Sequence, residues 1–375
     1  MSRALAAIVG GAAGAVALVG VVILVTWFFL CNNRSVSRTS ETGSSDPSQV
    51  GRPQGVELVV RETRRFEIEE LSLATKGFSE KNLIGEGKFG EVYKGLLLHD
   101  GMLVAIKRRP APPSQEFIQE ARYLASIQHR NIVSLLGYCQ ANGQQILVYE
   151  YVPNGSVSIH LYGAGQVTKE KLEFKHRLSI ALGAAKGLAH LHSLSPRLAY
   201  KDFKIANVLV DENFIAKVAD AGVQNFLGRG DTASPSSQGT VDEIFLALEV
   251  REFRRFSKKS DIYSFGVFLL ELVSGQEATE LLSSDSNQNI VEWVRDHQEA
   301  CTLSSIIDPR LEKSFTAEGM EEYIQLIVRC VEVSSERRPT MSYINEQPGC
   351  CLVLVNVFLQ LDFSKSEDSR SLVHY

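Results

Sequence analysis

The feature that most constrains this chain is the stretch Tyr200–Val223, YKDFKIANVLVDENFIAKVADAGV. It contains the spacing D-x-K-x-x-N, carried by Asp202, Lys204 and Asn207, and a second acid, Asp220, after a short hairpin pattern. Mg²⁺ binds hard oxygen ligands, and phosphate groups bind cationic side chains. The spacing therefore indicates phosphate chemistry.

The composition allows a large globular fold and excludes some partners. The chain has 375 residues, of which 44% are hydrophobic, which is enough for one large domain or two lobes with their own cores. The formal net charge of -5 gives no reason to expect a nucleic-acid partner. The six cysteines have no CxxC pair and no Cys/His metal spacing, so we expect reduced thiols.

An apolar segment at the N-terminus, residues 4–30, contains no charged residue and no proline. About 27 residues suffice to span a bilayer core with some tilt. A cleavable signal peptide is the alternative, but it ends in small residues, whereas this segment ends in TWFFL. Arg34 and Arg38 follow the segment and only Arg3 precedes it, which favours a cytosolic C-terminal side. We predict a single transmembrane helix.

The rest of the chain divides into segments of different pattern. Residues 31–65 are predicted to be a flexible juxtamembrane linker, because Asn32 to about Pro53 are rich in Ser, Thr, Gly and Pro and poor in apolar residues. From Asn82 to about residue 152 the pattern is β-rich, with one amphipathic helix in SQEFIQEARYLASI. After Pro153-Asn154-Gly155 the pattern is helical. This predicts an α+β fold of two lobes with a hinge near Glu150–Gly155.

A glycine-rich run, IGEGKFGEV, opens the β-rich part with Gly85, Gly87 and Gly90. It differs from a dinucleotide-binding loop because a strand, not a helix, follows it, and from a Walker A loop because no GK[ST] follows. A hairpin tip without side chains lets backbone N–H groups approach phosphates. A glycine-rich turn without a ligand is the alternative, and the run alone does not decide between them.

Further motifs follow in order: VAIK with Lys107, QEFIQEA with Glu120, the 200–223 stretch, and DIYSFGVFLLELVSG. With HRNIVSLLGYC and LVYEYVPNGS, they make the chain resemble a eukaryotic protein kinase, specifically the plant receptor-like Ser/Thr kinases, from about Phe66 to Ile344. The resemblance implies a two-lobed protein kinase fold over residues 66–346, with a small lobe at about 78–152 and a large lobe at about 153–346. It also implies ATP and Mg²⁺ as cofactors and a protein substrate.

The resemblance assigns a role to each matching residue. Asp202 accepts the proton of the attacking hydroxyl, Lys204 neutralises the transferred phosphoryl group, and Asn207 and Asp220 hold Mg²⁺. Lys107 holds the nucleotide phosphates and pairs with Glu120. The full nucleotide-binding set is Ile84, Gly85, Gly87, Gly90, Val92, Ala105, Lys107, Glu120, Tyr149, Glu150, Val152 and Leu209. A structural role is expected for Glu249, Asp261 and Arg338, the first and last as an ion pair.

The sequence departs from the family pattern at three motifs. Tyr200-Lys201-Asp202 stands for His-Arg-Asp, Asp220-Ala221-Gly222 for Asp-Phe-Gly, and Ala247-Leu248-Glu249 for Ala-Pro-Glu. None of these changes removes a group that the family uses on ATP or Mg²⁺. We expect Leu124, Leu135, Tyr200 and Ala221 to form one packed column, with the Tyr200 ring in the space that Ala221 leaves. Independent drift of the two positions is the alternative.

Two more departures concern regulation and the chain end. Lys201 lacks the bidentate fork of arginine, and the segment GTVDEIFLALE is two residues longer than the family's spacing and adds Asp242 and Glu243. Residues 347–375, beginning within NEQPGCC, are an atypical tail because Pro348-Gly349 break the expected helix.

The first functional hypothesis is a membrane-anchored Ser/Thr protein kinase of the plasma membrane, with the kinase domain in the cytosol. The second is a pseudokinase scaffold that docks to a receptor kinase in the same membrane, with weak or no phosphotransfer.

Overall fold

The computed structural model of the chain describes residues 63–87, 89–162, 172–196, 198–223, 243–282, 289–299, 303–311 and 315–346. They all lie in one compact unit of the chain. The predicted anchor 4–30, most of the predicted linker, the segment 224–242 and the tail 347–375 lie outside these ranges. None of the helices within the described ranges has both the length and the apolar character that a membrane crossing needs.

The small lobe is a six-stranded sheet with two helices. Its strands are β1 (Arg64–Arg65), β2 (Leu83–Gly87), β3 (Gly90–Leu97), β4 (Met102–Pro110), β5 (Leu135–Ala141) and β6 (Gln144–Glu150), arranged in the order β1-β5-β6-β4-β3-β2. All neighbouring strands are antiparallel except β1 and β5. Helix α1 (Ile68–Ala74) precedes β2, and helix α2 (Gln115–Ser126) lies between β4 and β5.

The end of the predicted linker differs from the expectation. Arg64 and Arg65 pair with β5 as a short parallel strand, so ordered structure begins before Phe66. The Arg64 guanidinium lies 4.3 Å from the Phe66 ring centroid and forms ion pairs with Glu70 at 2.5 Å and Asp100 at 3.0 Å. These contacts tie the chain to α1 and to the β3–β4 turn, which composition alone does not reveal.

The large lobe is mainly helical. Its helices are α3 (Val157–Tyr162), α4 (Phe174–Ser193), α5 (Leu248–Phe253), α6 (Lys258–Ser274), α7 (Ala278–Leu281), α8 (Ile290–Glu299), α9 (Ala317–Cys330) and α10 (Met341–Glu346). Two short strands, β7 (Val208–Val210) and β8 (Ala216–Val218), form an antiparallel pair. The β-rich and then helical order agrees with the sequence pattern.

Helix α6 is the centre of the large lobe. Every residue from Ser260 to Ser274 is buried, which explains why its sequence is apolar on all sides. The helix begins at a capping box between Ser257 and Ser260 and ends at Gly275, whose φ of 68° is in the left-handed region. A rigid, capped helix in the core gives the residues packed on it fixed positions.

Candidate functional site

The two lobes meet at a cleft bounded by β4, β6, the segment 198–207 and the end of β8. The backbone after the hinge pairs with β7, because Val210 N donates to Gly155 O at 2.9 Å and Ser156 bridges Leu209. This pairing holds half-buried Leu209 next to the backbone that follows the hinge residue Val152, which is 6% exposed. Val152 and Leu209, two members of the predicted nucleotide-binding set, therefore lie on paired segments of the chain.

The glycine hairpin forms as predicted between β2 and β3. Gly90 has a φ of 137°, and a Cβ there would lie 2.2 Å from Arg108 O, so this position needs glycine for the fold itself. A Cβ at Gly85 or Gly87 would meet no atom within 4 Å. Packing therefore does not explain these two glycines, and open space next to their backbone fits the close approach of a ligand.

Lys107 lies on β4, and its ammonium forms an ion pair with the carboxylate of Asp220 in the large lobe. Its side chain is only 15% exposed, so the charge needs an anionic partner. The same ammonium lies 5.7 Å from the ring centroid of Tyr149 on β6. Glu120 lies half-buried on α2, and its pairing with Lys107 stays a prediction.

Asn207 and Asp220, the predicted metal ligands, are held side by side by the backbone. The Ala219 N–H donates to Asn207 O at 2.8 Å, and the Asn207 side-chain amide donates to Asp202 O at 2.9 Å. Asp220 has a φ of 59°, in the left-handed region that Asp tolerates better than most residues. The structure thus brings Asp202, Asn207, Asp220 and Lys107 together at one place.

The oxygen ligands present fit Mg²⁺ rather than a metal in an all-protein cage. Within the described ranges, no group of three or more His, Cys, Asp or Glu side chains could hold a metal ion. Mg²⁺ is usually held by one or two carboxylates together with substrate phosphates. Asn207 and Asp220 match that requirement, and the adjacent Lys107 ammonium would attract the phosphates.

Asp261 braces the backbone of the segment that carries Asp202. Its carboxylate is buried at the start of α6 and accepts hydrogen bonds from Tyr200 N at 2.8 Å and Lys201 N at 2.9 Å. His192 Nε2 lies 2.8 Å from the same carboxylate. Lys201 has a φ of 72°, so two well-placed acceptor oxygens hold a backbone conformation that L-residues rarely adopt.

Tyr200 is 1% exposed, and its hydroxyl donates to the backbone carbonyl of Ala219. Burial, reinforced by the nearby charge of Asp220, raises the pKa of Tyr200 well above its usual value. Leu124, Leu135 and Tyr200 belong to one hydrophobic cluster, with Ala221 packed against it. The Tyr200 ring therefore lies inside the protein, with its centroid 5.6 Å from that of Phe203, and its packing in the space beside Ala221 stays a prediction.

Glu249 and Arg338 form a bidentate ion pair at 2.7 and 3.0 Å. Arg338 is 1% exposed and also donates to the carbonyl oxygens of Lys259, Glu332 and Val333. The Arg338 guanidinium also lies 5.3 Å from the ring centroid of buried Tyr263, so all of these contacts hold the large lobe together, as expected for a structural role.

One contact at the hinge has no counterpart among the sequence predictions. Lys217 on β8 forms an ion pair with Glu150 at the hinge, at 3.0 and 3.2 Å, and Glu150 also accepts from Ser134 N at 2.8 Å. The pair ties the hinge to the strand that leads to Asp220. A single lysine between apolar residues in a three-residue strand gives no signal for a partner 67 positions away.

The remaining predicted nucleotide-site residues lie on the cleft strands. Val92 and Ala105 are half-buried on β3 and β4, and Ala105 is opposite Tyr149 in the sheet register. Ile84, at 50% exposure, is the most open of the set's apolar side chains. Lys204 is half-buried next to the short turn Ile205–Asn207.

Known proteins resemble the chain in sequence. It is 36% identical over 334 residues to the proline-rich receptor-like protein kinase PERK3 of Arabidopsis thaliana, with 87% of this chain and 62% of that protein covered. It is 40% identical over 311 residues to the nodulation receptor kinase of Pisum sativum, with 81% of this chain and 33% of that protein covered. The chain thus spans less than two thirds of the length of these relatives.

A solved structure resembles the fold. The pseudokinase domain of BIR2, described as an immune regulator of the RLK/Pelle family, superposes with a TM-score of 0.63 at 26% identity, covering 81% of this chain and 90% of that domain. The sequence model of the family described as protein tyrosine and serine/threonine kinase matches residues 78–347. The resemblance to plant receptor-like kinases is confirmed, and the chain belongs to the protein tyrosine and serine/threonine kinase family.

Proposed function

We propose that this chain is an active protein kinase that transfers the γ-phosphate of ATP to serine or threonine hydroxyls of a protein substrate. The observation that carries the proposal is the contact between the Lys107 ammonium and the Asp220 carboxylate across the cleft, with Asn207 and Asp202 bonded beside it. Four of the groups that the family uses for phosphate, metal and proton, Lys107, Asp202, Asn207 and Asp220, are therefore linked by contacts, which supports the proposal.

Each side chain has a task in this proposal. Lys107 binds and orients the nucleotide phosphates, which compete with Asp220 for its ammonium. Asn207 and Asp220 hold Mg²⁺, which neutralises negative charge on the phosphates when bound. Asp202 accepts the proton of the substrate hydroxyl, and Lys204 stabilises charge on the transferred group.

A pseudokinase scaffold is the second candidate. The similarity to the pseudokinase domain of BIR2 supports it, as do the changed motifs at Tyr200, Ala221 and Leu248. In this reading the domain docks to a receptor kinase in the same membrane and transfers little or no phosphate.

Phosphotransfer distinguishes the two candidates. The full chain, purified in detergent, is incubated with labelled ATP and Mg²⁺ beside Asp202→Asn, which removes the proton acceptor and keeps the size of the side chain. The kinase proposal expects incorporation in the wild type and a large loss in the variant. Equal incorporation in both indicates a contaminating kinase, and no incorporation despite intact Mg·ATP binding supports the scaffold.

We further propose that the domain is anchored through residues 4–30 at the plasma membrane and faces the cytosol. The support is the uncharged apolar segment and the arginines that follow it. Carbonate extraction of cells expressing the full chain tests this proposal, with a 4–30 deletion as control. Release of the full chain by carbonate would contradict the anchor. Whether added protease cleaves the kinase domain in intact vesicles shows on which side of the membrane the domain lies.

A further inference from the structure

An exposed basic and aromatic segment lies between α5 and α6, outside the cleft. Residues 251–257, REFRRFS, are all exposed. We call Arg251, Phe253, Arg254, Arg255 and Phe256 the arginine–phenylalanine patch. Phe253 is 62% exposed and Phe256 is 41% exposed. Large apolar side chains next to unpaired cations are the composition found at protein interfaces.

Among the residues that the structure describes, the fold leaves the charges of Arg254 and Arg255 without an ionic partner, whereas the charge of Arg251 acts on buried Tyr263. The neighbouring Lys258 and Lys259 donate to backbone carbonyls of His192 and Arg338, so they serve the fold. In the described part of the chain, the three patch arginines form no ion pair and no side-chain hydrogen bond. Within the patch, the Arg255 guanidinium lies 5.6 Å from the Phe253 ring centroid.

The backbone fixes the direction in which the patch points. Arg254 ends α5 in the left-handed conformation, with a φ of 54°, and its N–H donates to Val250 O at 2.9 Å. Ser257 caps α6 with its side chain. A short segment held at both ends loses little conformational entropy when a partner binds.

A groove lies beside the patch. It has a volume of about 310 Å³ and is lined by Glu243, Leu246, Leu248, Arg251, Glu252 and Arg254. The lining consists of two leucines, two glutamates and two arginines, so the groove itself has no net formal charge and the positive charge lies beside it in the patch; Leu248 is 42% exposed. A concave site with apolar and charged walls accommodates a peptide side chain, whereas a flat lipid surface cannot enter it.

We propose that the patch and groove form a docking site for an acidic peptide segment of a protein partner, with one apolar side chain in the groove. Arg254 and Arg255 would pair with the carboxylates of the segment, and Phe253 would cover its backbone. The site selects the partner or substrate of the proposed kinase, and in that sense it rests on the proposed function. Binding itself requires neither ATP nor phosphotransfer.

The test measures binding of a defined probe to the full chain in detergent micelles by fluorescence anisotropy. The probe is a labelled peptide of Glu, Asp and Gly with a central Leu, free of Ser, Thr and Tyr. The same peptide with Lys in place of Glu and Asp is the control probe. Because the probe cannot be phosphorylated, failure of docking and failure of catalysis are seen separately.

Two variants remove the two kinds of contact. We expect Arg254→Glu/Arg255→Glu and Phe253→Ser/Phe256→Ser each to raise the Kd of the acidic probe roughly tenfold, with the wild-type affinity falling as salt is added. The matched control is Arg295→Glu/Arg329→Glu, which makes the same charge change at exposed sites on α8 and α9. Thermal unfolding of every variant checks that the fold is kept.

Three outcomes overturn the proposal. One is that the wild type binds the acidic and the basic probe equally or not at all. Another is that the patch and control variants lose affinity alike, which reduces the effect to net charge. The third is loss of phosphatidylserine-vesicle binding in the arginine variant without any change in peptide binding, which assigns the patch to a membrane surface.

Discussion

The hydroxyl of Tyr200 is hydrogen-bonded to the backbone carbonyl of Ala219, the residue directly before Asp220. At the same time, the Tyr200 N–H is bonded to Asp261. One buried residue therefore connects α6, the segment of Asp202 and the backbone of the predicted metal ligand. The Tyr that replaces the family's His is a link in the site, because its ring and hydroxyl both have partners.

The first prediction concerns this hydroxyl. Tyr200→Phe leaves the buried Ala219 carbonyl without its donor, so we expect a loss of roughly 1–3 kcal/mol in the free energy of unfolding. We also expect weaker Mg²⁺-dependent nucleotide binding, since the backbone of Asp220 loses its anchor. Urea unfolding and thermal shifts with Mg·ADP measure the two effects. The control, Tyr343→Phe at an exposed site, should change neither.

The second prediction tests whether Tyr200 and Ala221 compensate for each other. Ala221→Phe alone overpacks the cluster and should cost roughly 1–3 kcal/mol of stability. With Tyr200→His in the same chain, we expect a coupling of roughly 0.5–3 kcal/mol that restores part of the loss. Strictly additive effects in this double-mutant cycle would favour independent drift of the two positions.

The order of strands and helices could be predicted because it depends on local patterns. The run SQEFIQEARYLASI folds as α2 with Phe117, Ala121 and Leu124 buried on one face, as its helical period indicates. The all-apolar α6 is buried, and the hairpin glycines lie between β2 and β3. Each of these features depends only on residues that are close together in the sequence.

The contacts that assemble the cleft could not be predicted in the same way. Lys107 and Asp220 are 113 positions apart, and the volume argument for Tyr200 gave no information on where its hydroxyl would bond. The sequence contains many lysines, arginines and carboxylates that could pair with one another. Which of them form ion pairs depends on the relative position of the two lobes. The Glu150–Lys217 pair was missed for this reason.

The third prediction concerns metal dependence. Mg·ADP should raise the Tm of the wild type because a ligand that binds only the folded state stabilises it by mass action, about 2.7 kcal/mol at a hundred times Kd. EDTA should remove most of that shift. In Asp220→Asn the shift with Mg²⁺ should fall to the value seen with EDTA, while Asp211→Asn serves as a control outside the site. An unchanged shift in Asp220→Asn would contradict its assignment as a metal ligand.

The fourth prediction concerns the ion pair of Arg338 and Glu249. Because Arg338 is 1% exposed, Glu249→Gln, which keeps one acceptor oxygen but removes the negative charge, leaves a buried cation without its anion, and we expect a loss of roughly 3–5 kcal/mol in the free energy of unfolding. Arg338→Lys should also destabilise, since an ammonium cannot replace the bidentate fork. Urea unfolding of both variants measures this. The control is Glu252→Gln, an exposed change in the same helix. A loss of unfolding free energy of similar size in the control would contradict the structural role of the Glu249–Arg338 ion pair.

The fifth prediction is a pH dependence that Glu271 imposes on stability. This residue of α6 is 2% exposed, its Oε1 accepts a hydrogen bond from Ala278 N at 3.0 Å, and the Tyr162 hydroxyl lies beside its carboxyl group. Burial raises the pKa of Glu271 from an ordinary 4.5 to about 8. Between these two values the folded chain holds a proton that the unfolded chain has released. The contribution of Glu271 to stability is thus fully present below pH 4.5 and is lost as pH rises towards about 8.

Glu271→Gln should remove this pH dependence. In urea unfolding, the stability of the variant relative to the wild type should therefore rise steadily between pH 4.5 and about 8. Exposed Glu322→Gln should follow the wild type at every pH, and parallel curves for Glu271→Gln and wild type would show that the carboxyl is ionised at its ordinary pKa in the folded chain.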